Sequence, residues 1–227
     1  MDLAVLYNQR MRKIGKENLV MTNDDLAGNF ELFQFAATDT SFQTTSGSIV
    51  LLAENPEKQE ELAKSLENFP GPNDTINCDI LDSFEYLDWV AKEGLRLMGP
   101  FIAITPRVAT KNFTICGKKI FKGDRILVGA GVNQFSGAHV KDPEVYEPER
   151  FAPERKKQIK KLAYIPFSSG KRICVGQYLG EMFVKLIIGC FAKEFEIKAK
   201  SGQIYKRDMC MLYGISNADV LIRPRRR

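Results

Sequence analysis

The segment Phe167-Ser168-Ser169-Gly170-Lys171-Arg172-Ile173-Cys174-Val175-Gly176 presents one cysteine at the mouth of an apolar helical stretch. That arrangement suits a thiolate bound to a metal. Lys171 and Arg172 precede the sulfur and a helical pattern starts after it, so positive charge and helix N–H groups both favour the deprotonated form. A buried core thiol is the ordinary alternative for a free cysteine. The chain's other cysteines, Cys78, Cys116, Cys190 and Cys210, form no Cys-x-x-Cys pair with it, and the odd total of 5 argues against a complete disulfide framework. With His139 as the only histidine, neither a His-ligated zinc cluster nor a Ser-His-Asp or Cys-His site has support.

Further segments carry chemistry-bearing residues at useful spacing. Glu93-Gly94-Leu95-Arg96 lies in a helical pattern that runs from a cap at Asp82 or Ser83 through Phe84, Leu87, Ala91 and Leu95. Residues three apart share a helix face, so Glu93 and Arg96 can both point inward. A lone surface pair of this kind is worth only ~0 to 1 kcal/mol. Tyr146-Glu147-Pro148-Glu149-Arg150-Phe151 offers a second arginine, and Ala36-Ala37-Thr38-Asp39-Thr40-Ser41 sets an acid beside an alcohol. The latter falls in an apolar stretch that starts near the capping-box pattern Thr22-x-x-Asp25 and ends at Asn55-Pro56. At ~1.5 Å rise per residue, such a helix spans a whole domain.

The cysteine segment is a complete match to Phe-x-x-Gly-x-Arg-x-Cys-x-Gly, and it resembles the haem-binding loop of the cytochrome P450 family. The other segments stand in the order and rough spacing of that family. The resemblance implies that Cys174 is the axial ligand of the iron of haem b and donates electron density that favours O–O cleavage. It implies that Arg172 and Arg107, in Pro106-Arg107-Val108, bond the haem propionates, that Phe167 shields the thiolate, and that Gly170 belongs to the cofactor-binding loop. Asp39 and Thr40 would lie over the distal face as catalytic proton donors. Glu93, Arg96 and Arg150 would form a buried triad that is scaffold rather than chemistry. The sequence departs from the family at Ala37, where glycine is more frequent; the added methyl stiffens the helix and narrows the groove.

The implied fold is mainly α with small β-sheets, the C-terminal half of a cytochrome P450 from the long central helix through the haem loop to a terminal hairpin. The whole chain, 1–227, reads as one partial catalytic domain. It holds a central distal helix over about 23–53, a Glu-x-x-Arg helix over about 83–98 and β elements over about 104–130. A meander over 146–166, the haem-cysteine loop 167–176, a proximal helix 177–194 and a C-terminal β region 195–223 complete it. Asn112 to Cys116 and Arg125 to Val128 are β-type runs with turns at Gly117 and Gly123, and Gly129-Ala130-Gly131 sits in a strand context without the third glycine of a dinucleotide fingerprint. Leu179, Phe183, Leu186, Ile187, Cys190 and Phe191 follow a helical period and predict a buried helix beneath the haem. Ser201-Gly202 and Ser216-Asn217 separate the short β stretches of the tail, with Tyr213 to Ile215 near the hairpin tip.

With 227 residues and 44% hydrophobic content the chain can bury a real core. Full-length relatives are about twice as long, so the expected activity, insertion of one atom of O2 into an apolar small molecule, rests on a fragment of the family's domain. Alternatives are a truncated or degenerate member without catalysis of its own, or a haem-thiolate isomerase or peroxygenase; the Asp39-Thr40 pair argues against the last two. No apolar stretch of transmembrane length and no signal peptide is read in the sequence, although eukaryotic relatives sit on the endoplasmic reticulum membrane. Net charge is +5, and Arg155-Lys156-Lys157 with Lys160-Lys161 forms a basic run before the cysteine loop. The resemblance makes it a dock for an acidic NADPH-dependent flavoprotein reductase or a ferredoxin-type electron donor. Arg225-Arg226-Arg227 reads as a tail, since no aromatics or recognition motif mark a nucleic-acid site.

Overall fold

A computed structural model of the chain describes residues 3–71, 73–100, 104–160, 162–200, 206–209, 213–216 and 218–225. Lys161, Ser201-Gly202, Cys210, Asn217, Arg226 and Arg227, invoked above, lie outside the described residues. Two compact units divide the chain at Asp39/Thr40.

The first unit holds α1 (Leu3–Lys13) and the first half of α2 (Asn23–Glu54). Asn8 closes the turn between them, donating to the Met21 carbonyl and accepting from its N–H, both at 2.9 Å. The start of α2 is a capping box: Asp25 N–H donates to Thr22 Oγ1 at 3.1 Å while Asp25 Oδ2 takes the Thr22 N–H at 2.8 Å. Two of the helix's orphan donors are thereby satisfied. Asn55-Pro56 ends α2 and opens α3 (Pro56–Ser65), with proline at a position where no N–H is needed.

In the second unit, α5 (Glu85–Met98) is the hub of the core. Leu87, Val90, Ala91, Leu95, Leu97 and Met98 are buried, and they meet the second half of α2, α3 and α7 (Gln177–Glu194). α2 and α5 touch through small residues. A methyl added at Gly47 would lie 2.7 Å from Met98 Cβ, and one at Gly94 would strike Ser48 Oγ. Gly189 does the same for α7, since its missing Cβ leaves room for the ring of Phe69.

The strands form two-stranded antiparallel ribbons. β1 (Ile104–Val108) pairs with β4 (Arg125–Val128), and β2 (Phe113–Ile115) with β3 (Lys118–Ile120) across a Cys116-Gly117 turn whose residues have φ of 48° and 76°. β5 (Phe195–Ala199) pairs with β8 (Val220–Pro224), and β6 (Lys206–Met209) with β7 (Tyr213–Ser216). β7 lies against the second half of α2, where a Cβ on Gly214 would come within 2.7 Å of Gln43 Cδ.

Several expectations change in detail. The cap expected at Asp82 or Ser83 is instead the end of a separate helix, α4 (Cys78–Asp82), capped by Asn77 Oδ1 on the Ile80 N–H; α5 then starts after Phe84 with no side-chain cap. Gly129-Ala130-Gly131 opens a helix, α6 (Ala130–Gln134), rather than continuing a strand. α7 buries Met182, Val184, Lys185, Ile188, Gly189 and Ala192, whereas Leu179, Phe183 and Cys190 of the apolar stripe are exposed. Apolar periodicity marks a helix face that is to be covered, and here two faces of α7 are apolar while α5 covers only one. α2 is split similarly. Val50 to Ala53 are buried, while Phe30, Leu32, Phe33, Phe35 and Phe42 are exposed. Among the described residues no helix is long and apolar enough to cross a membrane.

Candidate haem-thiolate site

The cysteine loop folds back on itself before α7 begins. Ser168 and Gly170 take positive φ, 67° and 75°, and Gly170–Arg172 makes one 3-10 turn closed by the Ile173 N–H on the Gly170 carbonyl at 3.1 Å. Cys174 donates its N–H to the Phe167 carbonyl at 3.0 Å, which joins the two ends of the loop. The Phe167 ring packs over Gly180, whose added Cβ would lie 3.4 Å from Cε1. Gly176 caps α7, so Cys174 precedes the positive end of an 18-residue helix, and its side chain is exposed. A sulfur there is accessible to a ligand.

Arg172, from the same loop, lines a cavity of about 400 Å3 with Pro106, Arg107 and Val108 of β1. Two guanidiniums give that space a cationic lining. Two carboxylates match two planar donor forks.

The chain ahead of the loop is held by a buried charged cluster. Glu93 is 0% exposed, Arg96 1% and Arg150 4%. Arg96 grips Glu93 with both Nε (2.7 Å) and Nη2 (2.8 Å), and spends its remaining donors on the carbonyls of Gln134 (2.9 Å), Pro143 (2.6 Å) and Val145 (3.2 Å). Arg150 Nε reaches Glu93 Oε1 at 3.3 Å, and its other nitrogens donate to the carbonyls of Lys141, Asp142 and Val145. The Glu147 N–H completes the shell of Glu93 at 3.0 Å. Apart from that of Gln134, the last residue of α6, the carbonyls so bound lie at 141–145, ahead of the cysteine loop, where no helix or strand would satisfy them. Burial pushes the phenols of Tyr146 and Tyr164 well above their ordinary value, and the nearby Glu93 carboxylate adds to it. Both tyrosines therefore stay protonated within the scaffold.

Of the residues singled out in the sequence, Cys174, Phe167, Gly170 and Arg172 share the loop, Arg107 joins Arg172 at the cavity, and Glu93, Arg96 and Arg150 are in contact. Asp39 and Thr40 are consecutive half-buried residues of α2, one closing the first unit and the other opening the second. In the basic run, Lys156, Lys157 and Lys160 are exposed, but Arg155 is half-buried and paired with Glu147 at 2.9 Å. Sequence reasoning passed over a second charged cluster, in which Lys185 of α7 meets Asp82 and Asp88. The available signal was a lysine inside the otherwise apolar run 182–188.

The family model described as Cytochrome P450 matches residues 1–221. The chain belongs to the cytochrome P450 family. Among its curated relatives, Cytochrome P450 4V2 of Rattus norvegicus is 31% identical over 210 residues, covering 92% of this chain and 38% of that protein. Thromboxane-A synthase of Rattus norvegicus is 33% identical over 183 residues, covering 79% of this chain and 34% of that protein. Solved structures share the fold: the cytochrome P450DA heme domain superposes with a TM-score of 0.82 at 17% identity, and the cytochrome P450 CYP102L1 with 0.83 at 22%, each over about nine-tenths of this chain (91% and 90%) and 46% of the other. The chain thus spans less than half the length of the P450 proteins it matches. The donor set fits the family's haem: a thiol on an exposed loop for the iron, and two guanidiniums at one cavity for two propionates.

Proposed function

We propose that this chain is the thiolate-bearing part of a cytochrome P450 monooxygenase that inserts one atom of O2 into an apolar organic substrate, with electrons from a redox partner. One observation carries the reading: Cys174 sits on a loop that also supplies Arg172 to the cavity lined by Arg107. In this reading Cys174 Sγ is the axial ligand of haem b, Arg107 and Arg172 hold its propionates, and Phe167 keeps water from the sulfur. When bound, the haem supplies the iron at which O2 is activated. The Asp39 carboxylate and the Thr40 hydroxyl hold and pass protons on the distal side, a task for which an acid next to an alcohol is suited. Glu93, Arg96 and Arg150 fix the chain leading into the loop. Exposed Lys156, Lys157 and Lys160 offer an acidic flavoprotein reductase or ferredoxin-type donor a basic landing site.

The test is spectroscopic. The reduced, CO-treated haem-loaded protein is expected to show the long-wavelength Soret band of thiolate ligation, and Cys174→Ser is expected to remove it. An unchanged spectrum in Cys174→Ser ends the assignment of the ligand. Arg107→Ala and Arg172→Ala are each expected to weaken haem retention without shifting the band.

A further inference from the structure

Lys185 is the one buried lysine among the described residues, at 5% exposure, and it sits in the middle of α7 between the apolar residues Val184 and Leu186. Its Nζ bridges Asp82 Oδ1 at 2.9 Å and Asp88 Oδ1 at 2.8 Å. Asp82 ends α4 and Asp88 lies in the first turn of α5, so one ammonium spans the break between two helices and ties both to α7. Asp88 is also paired with Lys92, which leaves two cations against two carboxylates. A buried charge is retained only where it is matched in this way.

The position of this cluster in the chain gives it meaning. Glu93 and Arg96 of α5 bind the segment 141–150 ahead of the cysteine loop. Asp88 of the same helix binds α7, which follows that loop. We infer that Lys185 is a positioning residue for Cys174: α5 is a common rail to which the chain is fixed by charge on both sides of the loop, by Arg150 before it and by Lys185 after it. The spacing of those two fixings determines where the N-terminus of α7, and with it the Phe167–Cys174 closure, comes to rest. Lys185 touches neither the sulfur nor the cavity residues and acts only through α7. The inference rests on the reading of Cys174 as a ligand only for its consequence, not for its geometry.

The experiment compares Lys185→Met, which keeps an unbranched chain one atom shorter and loses the charge, with Lys185→Arg, which restores the charge, by hydrogen exchange on the full chain. The amides to follow are those of Cys174 and Gly180, which close on Phe167 and Gly176, and for reference the amide of Ile197, bound by Gln59 on a different part of the unit. Lys185→Met is expected to speed exchange at Cys174 and Gly180 at least tenfold more than at Ile197, and Lys185→Arg to return most of that protection. Equal acceleration at all three amides means a loss of general stability and overturns the inference, as does no acceleration at all. Should Lys185→Met give no soluble protein, Asp82→Asn removes a partner that is half exposed, and the same selective pattern is expected at smaller size. On haem-loaded protein, Lys185→Met is expected to lose part of the thiolate Soret band that Lys185→Arg keeps. Absence of that band in the unsubstituted chain refutes the ligand assignment alone, because the exchange comparison needs no haem.

Discussion

Glu93 and Arg150 stand 57 residues apart in the chain and meet at 3.3 Å in a pair that is 0% and 4% exposed. Neither ion is tolerable there alone. Arg96 supplies the second cation from one helical turn away, and between them the two arginines satisfy the carboxylate and the carbonyls of Gln134, Lys141, Asp142, Pro143 and Val145. The pair is thus the point at which a helix captures the stretch 141–145, which belongs to no helix or strand. Breaking a buried pair on one side costs about 3 to 5 kcal/mol, a large share of the ~5 to 15 kcal/mol that holds a typical domain. We expect Arg96→Ala to lower the unfolding free energy by about that amount in urea titrations, and Arg96→Lys to recover little, since one ammonium cannot replace a five-donor fork. Wild-type stability in Arg96→Ala would mean that the cluster is hydrated.

The crossing of α2 and α5 depends on what Gly94 lacks. A methyl there would strike Ser48 Oγ and lie 3.1 Å from Ser48 Cβ, and Ser48 is itself buried with its hydroxyl donated to the Thr44 carbonyl at 2.7 Å. Overpacking of this kind costs about 1 to 3 kcal/mol, set against the small helix-propensity gain of alanine over glycine. Gly94→Ala is expected to destabilise the chain, and Ser48→Gly added to it is expected to recover part of the loss. Additive losses in the double variant would place the strain elsewhere.

Gln59 performs on β5 the work of a neighbouring strand. Its Oε1 accepts the Ile197 N–H at 2.8 Å while its Nε2 donates to the Ile197 carbonyl at 2.8 Å and to the Leu52 carbonyl at 3.1 Å, all in a side chain 2% exposed. Replacement by leucine conserves volume and leaves those backbone groups unpaired, at about 1 to 3 kcal/mol for each that finds no other partner. We expect Gln59→Leu to cost more than Gln59→Glu, which keeps the acceptor for Ile197. The reverse order, read from thermal unfolding, would show that a buried carboxylate facing the Leu52 and Ile197 carbonyls costs more than the acceptor it keeps for the Ile197 N–H.

What the sequence disclosed follows from how local each signal is. The cysteine loop is legible because Gly170, whose positive φ suits glycine, and Cys174 lie within one short run, and α2 is legible because Thr22-x-x-Asp25 and Asn55-Pro56 mark both ends. The contact of Arg150 with Glu93 required the family resemblance, since nothing in either segment specifies a partner 57 residues away. The Lys185 cluster stayed hidden for a related reason: Asp82 and Lys185 are 103 residues apart, and a lysine in an apolar run reads as an interruption until its carboxylates are seen. The covered face of α7 was misjudged because Leu179, Phe183 and Met182 are alike in hydrophobicity. Which of them is buried depends on where α5 lies, and that is a tertiary fact.

Acid should dismantle the charged clusters in a defined direction. Burial raises the Asp88 carboxyl, but the hydrogen bonds and charges of Lys185 and Lys92 outweigh it and hold the group below its ordinary 3.8. The hydrogen bond from Arg155 holds Glu147 below 4.5, and at Glu149 the hydrogen bond from Lys58 helps to overcome the opposing effect of burial. A carboxyl whose folded pKa is depressed contributes stability that is present above its unfolded pKa and is lost as pH falls through the folded one. Unfolding free energy is therefore expected to be flat in these groups above about pH 5 and to decline below it. Asp88→Asn removes one titrating site. Its stability at neutral pH is expected to be lower, because Lys185 loses a charged partner, and its decline between about pH 5 and pH 2 is expected to be shallower than that of the unsubstituted chain. Urea midpoints measured across that range decide the point: parallel acid slopes in the two proteins would show that Asp88 has the same affinity for protons folded and unfolded, and that its ion pairs with Lys185 and Lys92 contribute nothing to the fold.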